Sequence, residues 1–330
     1  MKRRELLLGG VGAALGVTGR PLWAQSVADE AAYPSRTVTI ACGFAVGGPT
    51  DAVTRLLADL LSKHLNQSFV VETRLGANGS VAALFVKNAR PDGYTLLMGG
   101  SGPLVVGPHI KDNMPYDSLK DFVAVAPVSN YPYFLVVPAD SPIKSTKDLI
   151  ERARTNKLTY ASAGIGASNH LAVEWIKAAT GVDAVHVPYK GDAAAMADVL
   201  SGRVDFSILS GVVIDAHVKS GRLRILGVTS LRPDRSVGGA PLVADAGIPD
   251  FAVEPWTGIF GPAGLPDQIV TKLAAAIRTV MSTQEARDRL AAIGQFPFTA
   301  STEEFRKYIA LEYARWGRVI SQAKIAKTSF

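Results

Sequence analysis

The chain has 330 residues, of which 48% are apolar and 19% are charged. This is the composition of a globular protein, and it excludes a disordered tail, a collagen and a coiled coil. At about 150 residues per domain, the length predicts two domains. A single cysteine, Cys42, excludes a disulfide framework and a multi-cysteine zinc site.

The formal net charge of +6 overstates the basic character of the folded part. Residues 1–24 hold four basic side chains and one acidic one, so 31 of the 35 basic and 28 of the 29 acidic residues lie beyond them. Those charges are mixed along the chain, and no basic run is interleaved with aromatic residues. We therefore expect no nucleic-acid partner.

Residues 1–24 have the three parts of a secretory signal peptide. Residues 2–4 are basic, and the apolar segment 6–17 is too short to cross a bilayer as a helix. Ala24 is the small residue of a cleavage site, with Ala28 as the second choice. The paired arginines also fit a twin-arginine signal, and the sequence leaves that route and the Sec route open. We expect a periplasmic protein from which this segment has been removed.

Short strand patterns alternate with helical patterns as far as residue 250. A strand at 37–41 precedes a glycine-rich loop and a helix with one apolar face. The same order recurs from residue 158, where a strand precedes the loop 162–168 and a helix that ends at Gly181. Successive β-loop-α units predict an α/β fold with parallel sheets. The other predicted strands are 69–71, 94–98, 134–137, 185–187, 204–209 and 223–228.

The pattern changes after residue 250, where one strand at 257–260 is followed by three helices. Ser301 and Glu304 have the spacing of a capping box at the start of the last helix. A helical block of this size must pack on another element, and we expect that element to be the first α/β unit. The first domain is then discontinuous. The predicted domains are 33–132 together with 251–330, and 133–250.

Motifs of catalysis and metal binding are missing from the sequence. It contains no G-x-S-x-G, no Walker A motif, no H-E-x-x-H and no complete G-x-G-x-x-G. None of the five histidines is paired at i, i+4, so a metal site has no local support. A triad of Asp51, Ser168 and His170 has no supporting spacing. We expect no catalytic residue, no metal and no cofactor.

Two similar glycine-rich loops, 43–51 and 162–168, each lead to a helix N-terminus. Such an end offers free N–H groups and a partial positive charge, which suits an anion. If the two loops face each other across a cleft, they can hold both ends of a small dianion. Neither loop contains Lys or Arg, which predicts recognition by backbone amides, serine hydroxyls and water.

From Tyr33 onwards the chain resembles the extracytoplasmic solute receptors of the Bug family, the binding components of tripartite tricarboxylate transporters. The resemblance rests on ordered motifs: Tyr33-Pro34, Gly47-Gly48 with Asp51, the run 91–97, Asp121-Phe122, the run 160–164 with His170-Leu171, and the runs 186–191, 202–205 and 262–266. It implies a two-lobed type II periplasmic binding protein, with a ligand cleft between the lobes that closes like a Venus flytrap. It also implies a small organic carboxylate ligand, no catalysis, and membrane permease subunits as partners.

The sequence therefore predicts a monomeric receptor that captures a small carboxylate by lobe closure and delivers it to such a transporter. A sensor for a membrane signalling partner and an exported enzyme stay open as alternatives, because fold alone does not decide function. Asp51, Ser162 and Ser168 have helix capping as an alternative role, and Asp205 has stabilisation of its lobe. The predicted ligand contacts are Phe44, Gly47, Gly48, Asp51 and Ser101 on one side, and Ser162, Gly166, Ala167, Ser168 and Asp205 on the other.

Overall fold

The computed structural model describes residues 33–230, 239–325 and 327–329 of the chain. The predicted signal peptide, residues 1–24, lies outside the described residues. The described chain forms one six-stranded sheet, one five-stranded sheet and a short two-stranded ladder. We call each of the two large sheets, with the helices packed on it, a lobe.

The first lobe contains the six-stranded sheet, in the order β12-β5-β11-β3-β1-β2. Strands β1, β2 and β3 are mutually parallel, whereas β11, β5 and β12 continue the sheet in antiparallel pairs. The strands are β1 (Val38–Cys42), β2 (Phe69–Thr73), β3 (Thr95–Gly100), β5 (Phe122–Asn130), β11 (Trp256–Pro262) and β12 (Phe296–Pro297).

Among the described residues, five longer helices belong to this lobe, together with short helical segments that include the 3-10 turn Ala77–Gly79. Val53 and Leu57 of the first helix share an apolar core with Ile40 of β1 and with Leu273 and Ile277 of a later helix. Burying these faces against the sheet is the main stabilising contribution of this layer. The helices are α1 (Pro49–Leu65), α2 (Ser80–Lys87), a π-helical turn (Gly102–Val106), α3 (Gly107–Ile110), α8 (Asp267–Met281), α9 (Gln284–Ala291) and α10 (Thr302–Gln322).

The second lobe contains the five-stranded sheet, in the order β10-β6-β9-β7-β8. Strands β7, β8 and β9 are parallel, and β6 and β10 are antiparallel to their neighbours. The strands are β6 (Tyr133–Pro138), β7 (Leu158–Ser162), β8 (Ala184–Pro188), β9 (Phe206–Ser210) and β10 (Leu223–Val228). The helices are α4 (Thr146–Thr155), α5 (Ser168–Thr180), α6 (Asp192–Leu200) and α7 (Gly211–Lys219).

Within the described residues, the chain passes between the two sheets twice. It leaves the first sheet at Asn130 and enters the second at Tyr133, and it returns to the first at Trp256. The lobes also touch through their helices, because the ring of Trp175 in α5 lies 6.1 Å from that of Trp316 in α10. The long C-terminal helix α10 therefore packs on both lobes.

Several local predictions are confirmed, and others are wrong. Ser301 and Glu304 form the expected capping box, and α5 ends at Gly181 in a left-handed conformation. The long strand β5 was not predicted, although Phe122–Asn130 is mostly buried. The sheets are mixed and not wholly parallel, because sequence periodicity does not carry strand direction. A further expectation, that Asp192 caps α6, is also wrong: Gly191 is the N-cap residue, and the Asp192 carboxylate accepts hydrogen bonds from Asn169 and Ser210.

Candidate functional site

A cavity of about 360 Å³ lies between the two lobes. The first lobe contributes the loop after β2, the end of α3, the start of the short strand β4 (Lys111–Asp112) and the segment after α10. The second lobe contributes the loop between β7 and α5. Loops that follow parallel strands are the usual ligand-binding edge of an α/β sheet. The lining residues are Ala77, Asn78, Ile110, Lys111, Ile325 and the run 163–167.

Gly166 is the point at which the second lobe approaches the first. Its φ is +78°, and a Cβ added to it would lie 2.6 Å from Cδ1 of Ile110 in the first lobe. A side chain at this position would therefore need a strained backbone and would displace a buried residue of the opposite wall. The position is a close cross-cleft contact.

Most amides of the loop 163–167 already have acceptors within their own lobe. Ile165, Ser168 and Asn169 have N–H groups for which no acceptor is found among the described residues. The loop and the first turn of α5 thus keep three backbone N–H groups without an acceptor among the described residues. The bonds already formed are Ala163 N–H to Asn169 Oδ1 at 3.2 Å, Gly164 N–H to Ser162 Oγ at 3.1 Å, Gly166 N–H to His170 Nδ1 at 3.2 Å, and Ala167 N–H to the Gly164 carbonyl at 3.2 Å.

Three stacked aromatic side chains pack beneath this loop, inside the second lobe. The rings of His170 and His186 are stacked with their centroids 4.2 Å apart, and Tyr160 stacks on His186 at 4.8 Å. Burial, aided by the neighbouring His186, lowers the pKa of His170 to about 4. The buried Ser162 hydroxyl lies 2.6 Å from Nε2 of His186. The layer is therefore uncharged at neutral pH and holds the loop from within the lobe.

The opposite wall is built on an unusual backbone turn and one lysine. Ala77 and Asn78 have φ values of 44° and 53°, although neither is glycine. A Cβ added to Gly102 would lie 3.0 Å from the side-chain nitrogen Nδ2 of Asn78. The Asn78 side chain therefore packs against the turn that follows β3. Lys111 is among the lining residues, and its Nζ donates a 2.8 Å hydrogen bond to the carbonyl oxygen of Ser329.

The glycine-rich loop 43–51 does not line the cavity. Oδ2 of the buried Asp51 accepts hydrogen bonds at 2.9 Å from the Gly47 amide and from Arg55 Nε. Burial alone raises the pKa of Asp51, but the bonds from Arg55 and Gly47 outweigh it and leave that pKa below its usual value. The Gly48 amide is bonded to the Ala45 carbonyl. The Gly47 and Gly48 amides therefore stabilise the conformation of the loop itself.

Of the predicted ligand contacts, the structure brings Gly166 and Ala167 to the cavity wall. Phe44 packs against the turn that carries Ala77 and Asn78 and does not itself line the cavity. A Cβ added to Gly79 in this turn would lie 3.1 Å from the Phe44 ring. Ser101 is buried next to Gly102, behind Asn78. Gly47, Gly48 and Asp51 belong to the loop 43–51, which does not line the cavity.

Ser162, Ser168 and Asp205 have other surroundings. Ser162 is buried beneath the loop, and Ser168 is the first residue of α5, whose N-cap is Ala167. The carboxylate of Asp205 accepts hydrogen bonds from the backbone and hydroxyl of Thr159 at 2.7 and 2.8 Å. Thr159 stands at the start of β7, whereas the cavity is at the end of that strand. The structure thus does not bring Asp205 to the cavity.

Sequence reasoning missed Asn78, Ile110, Lys111 and Ile325. Asn78 lies between Gly76 and Gly79, and this glycine-containing run was a local signal for a turn at that position. The other three lie in segments without glycine-rich loops, and only the folded chain places them at the cavity. Across the described residues, no cluster of metal-ligating side chains and no helix apolar and long enough to cross a membrane is found.

The comparisons with known proteins agree with this geometry. The family model described as "Tripartite tricarboxylate transporter family receptor" matches residues 53–325. The "UPF0065 protein in tcbD-tcbE intergenic region" of Pseudomonas sp. (strain P51) is 35% identical, covering 98% of this chain and 95% of that protein. Protein BugT of Bordetella pertussis is 32% identical, covering 88% of this chain and 90% of that protein.

Two solved structures were obtained with organic acids. The R. palustris protein Rpa4515 with adipate has 33% identity and a TM-score of 0.76, covering 90% of this chain and 100% of that one. MatC from Rhodopseudomonas palustris with bound malate has 30% identity and a TM-score of 0.72, covering 87% of this chain and 100% of that one. The two-lobed fold that the motifs predicted is thus confirmed. The chain belongs to the family of tripartite tricarboxylate transporter receptors.

Proposed function

We propose that this chain is a periplasmic receptor that captures a small organic carboxylate between its lobes and delivers it to the membrane permease subunits of a tripartite tricarboxylate-type transporter. The family match supports the receptor role, and the adipate and malate in the two relatives support the ligand class. The predicted signal peptide, residues 1–24, provides the route of export. The predicted domains, 33–132 with 251–330 and 133–250, are the two bodies that close.

The observation that carries the proposal is the cavity to which both lobes contribute. Its volume of about 360 Å³ suits a small molecule. Lys111 and Asn78 are among its lining residues, and an ammonium group and a side-chain amide are both hydrogen-bond donors that suit a carboxylate. Because both lobes supply the wall, ligand binding and lobe closure are coupled.

Thermal unfolding of the purified protein with a panel of carboxylic acids and their neutral amides tests the ligand class. A ligand present at 100 times its Kd stabilises the folded state by about 2.7 kcal/mol, which raises the melting temperature. We expect at least one acid to give such a shift and its amide to give none. Equal shifts from the acid and its amide, or no shift from any acid, would contradict the proposal.

Transport is tested in cells that lack this chain. We expect such cells to lose uptake of the acid that binds in vitro and to regain it when the chain is restored. Unchanged uptake, combined with a lost transcriptional response to that acid, would support the sensor alternative. N-terminal sequencing of the periplasmic protein tests export, and a retained Met1 would contradict cleavage near Ala24.

A further inference from the structure

We propose that Asp192 is a positioning residue of the ligand site, whose carboxylate holds the loop 163–167 in place at the cavity wall through the side chain of Asn169. This inference rests on the proposed function and adds to it a residue outside the cavity wall. Asp192 is not among the residues that line the cavity. The stacked rings are one support of this loop, and Asp192 provides a second one from helix α6.

Asp192 reaches the loop through two hydrogen bonds in series. Its Oδ1 accepts from Nδ2 of Asn169 at 2.9 Å, and Oδ1 of Asn169 accepts from the Ala163 N–H at 3.2 Å. The Asn169 side chain is buried, and the carbonyl of Ala163 accepts from the Gly191 N–H at 3.2 Å. Both backbone polar groups of Ala163 are therefore bonded at the point where the chain enters the loop.

The other oxygen of Asp192 connects to a third segment. Oδ2 accepts from Ser210 Oγ at 2.9 Å and from the Ser210 N–H at 3.3 Å. Ser210 ends β9, Asp192 begins the helix after β8, and Asn169 lies in the helix after β7. These three strands are parallel, so their carboxyl ends lie at the same edge of the sheet, where an α/β fold binds its ligand. Asp192 thus joins the segments that follow all three strands.

The donors around residue 192 require an acceptor on both of its sides. Asn169 turns its amide oxygen to the Ala163 N–H, so its Nδ2 points to Asp192. A carboxylate has two acceptor oxygens, whereas an asparagine side chain has one oxygen and one NH2 group. D192N therefore keeps the size of the side chain but places a donor against either Asn169 Nδ2 or the Ser210 N–H.

The charge of Asp192 depends on the same bonds. In the described part of the chain, no basic side chain forms an ion pair with it. Burial raises the pKa of Asp192, and the hydrogen bonds from Ser210 and Asn169 act against that rise because they favour the ionised form. The junction therefore accommodates a buried carboxylate through neutral donors.

The placement of the loop decides what the second lobe offers a ligand. The run 163–167 is the part of this lobe that lines the cavity. The N–H groups of Ile165, Ser168 and Asn169, in the loop and the first turn of α5, have no acceptor among the described residues. A loop released at Ala163 would shift these donors, so affinity would fall even where the fold is intact.

Calorimetry with a panel of acids that includes adipate and malate tests the role of Asp192. We expect D192N to bind the tightest acid of the panel about tenfold more weakly, because the support of the loop is lost. Removal of a negative charge would by itself strengthen the binding of an anion. Weaker binding by D192N therefore separates positioning from a simple effect of charge.

D198N is the matched control. Asp198 lies in the same helix α6 and accepts from the Tyr189 hydroxyl at 2.6 Å and from Arg203 at 3.2 Å, but it has no bond to the loop. We expect D198N to lower the melting temperature at unchanged affinity, and D192N to lose affinity. If Asp192 were only structural, affinity would follow melting temperature in the same way in both variants.

A double-mutant cycle tests the route through Asn169. N169A removes the side chain that connects Asp192 to the loop, so adding D192N to N169A should cause no further loss of affinity. Losses that add would show that Asp192 acts by another route, and would overturn the inference.

Hydrogen exchange measured by NMR follows the loop without a ligand. The Ala163 amide should exchange several-fold faster in D192N and at the unmodified rate in D198N. Tighter binding by D192N, or unchanged affinity and exchange, would overturn the inference and leave the proposed function standing. If no acid binds the unmodified protein, the proposed function fails, and faster exchange in D192N still supports the hold of Asp192 on the loop.

Discussion

The two glycine-rich loops are similar in sequence but differ in their position relative to the cavity. Both follow a parallel strand and lead to a helix, yet only the loop 163–167 lines the cavity. The loop 43–48 packs against the turn 76–79, because a Cβ on Gly43 would lie only 2.4 Å from Cα of Gly79. Ala77 and Asn78 of that turn line the cavity in place of the loop. A shared local pattern therefore predicts a shared local structure, and the neighbouring segments decide which loop lines the cavity.

The supports beneath the two loops differ as well. The first loop is held by an ionised carboxylate, Asp51, which bonds to Gly47 and Arg55. The second loop is held by neutral rings, with His170 accepting from the Gly166 amide. A change of pH therefore acts on the two loops through different groups.

The largest expected effect is a loss of ligand affinity in one of two matched glycine variants, one in each loop. Gly47 and Gly166 have φ values of +80° and +78°, so G47A and G166A both strain the backbone. Only at Gly166 would the new Cβ meet the opposite lobe, at 2.6 Å from Ile110 Cδ1, whereas Gly47 has open space. Calorimetry with the tightest acid should show about a tenfold loss or more for G166A and little change for G47A. Equal losses would show that both loops contact the ligand.

The next effect is the pH dependence of stability that His170 provides. Its pKa falls from 6.5 to about 4 on folding. The unfolded chain therefore takes up a proton as the pH falls below about 6.5, whereas the folded chain does not do so until about pH 4. Between these values the folded state should lose about 2 kcal/mol.

Urea unfolding at pH 7.5 and pH 4.5 measures this loss. The variant H170N keeps a polar side chain but removes the titrating ring, so its stability should fall less between the two pH values. An unchanged pH slope in H170N would assign the loss to other groups.

A smaller effect is expected at Asp51, with its own pH range. The pKa of Asp51 is lowered in the folded state, so its stabilising contribution is present above its unfolded pKa and is lost as the pH falls through the folded pKa. D51N removes the charge and should cost about 1 kcal/mol at pH 7, because the Arg55 partner is half exposed. Ligand affinity should stay the same, since this loop does not line the cavity. A marked loss of affinity in D51N would contradict this expectation and show that the first loop contributes to ligand binding.

The smallest effect is a gain of stability at the turn that separates the first loop from the cavity. Ala77 has a φ of 44°, which a residue with a Cβ adopts at a cost. A77G should relieve this cost and, after the added entropy of the unfolded glycine, raise stability by up to about 1 kcal/mol. A higher melting temperature checks the expectation, whereas a lower one would show that the methyl group packs usefully.

Local signals in the sequence predicted most of the elements. The strand at 223–228 has the same bounds in the structure, and the helix capped by Ser301 starts as expected. Caps, turns and apolar periodicity depend on neighbours along the chain, so they can be recognised without the fold. The strand β5 was not predicted, because its apolar residues form a continuous run and do not alternate with polar ones as in a half-buried strand. Pro127 within the run also argued against a strand.

The amino-acid sequence alone determined the alternation of strands and helices, the family, and the loops at the ends of the parallel strands. These properties are encoded in contiguous segments, in which residue types act on their close neighbours. Only the tertiary structure decided that Lys111 and Ile325 meet Gly166 at one cavity, and that Asp205 does not. Residues 111 and 325 are far apart in the chain, and their meeting depends on how α10 packs across both lobes and returns the segment that follows it to β4.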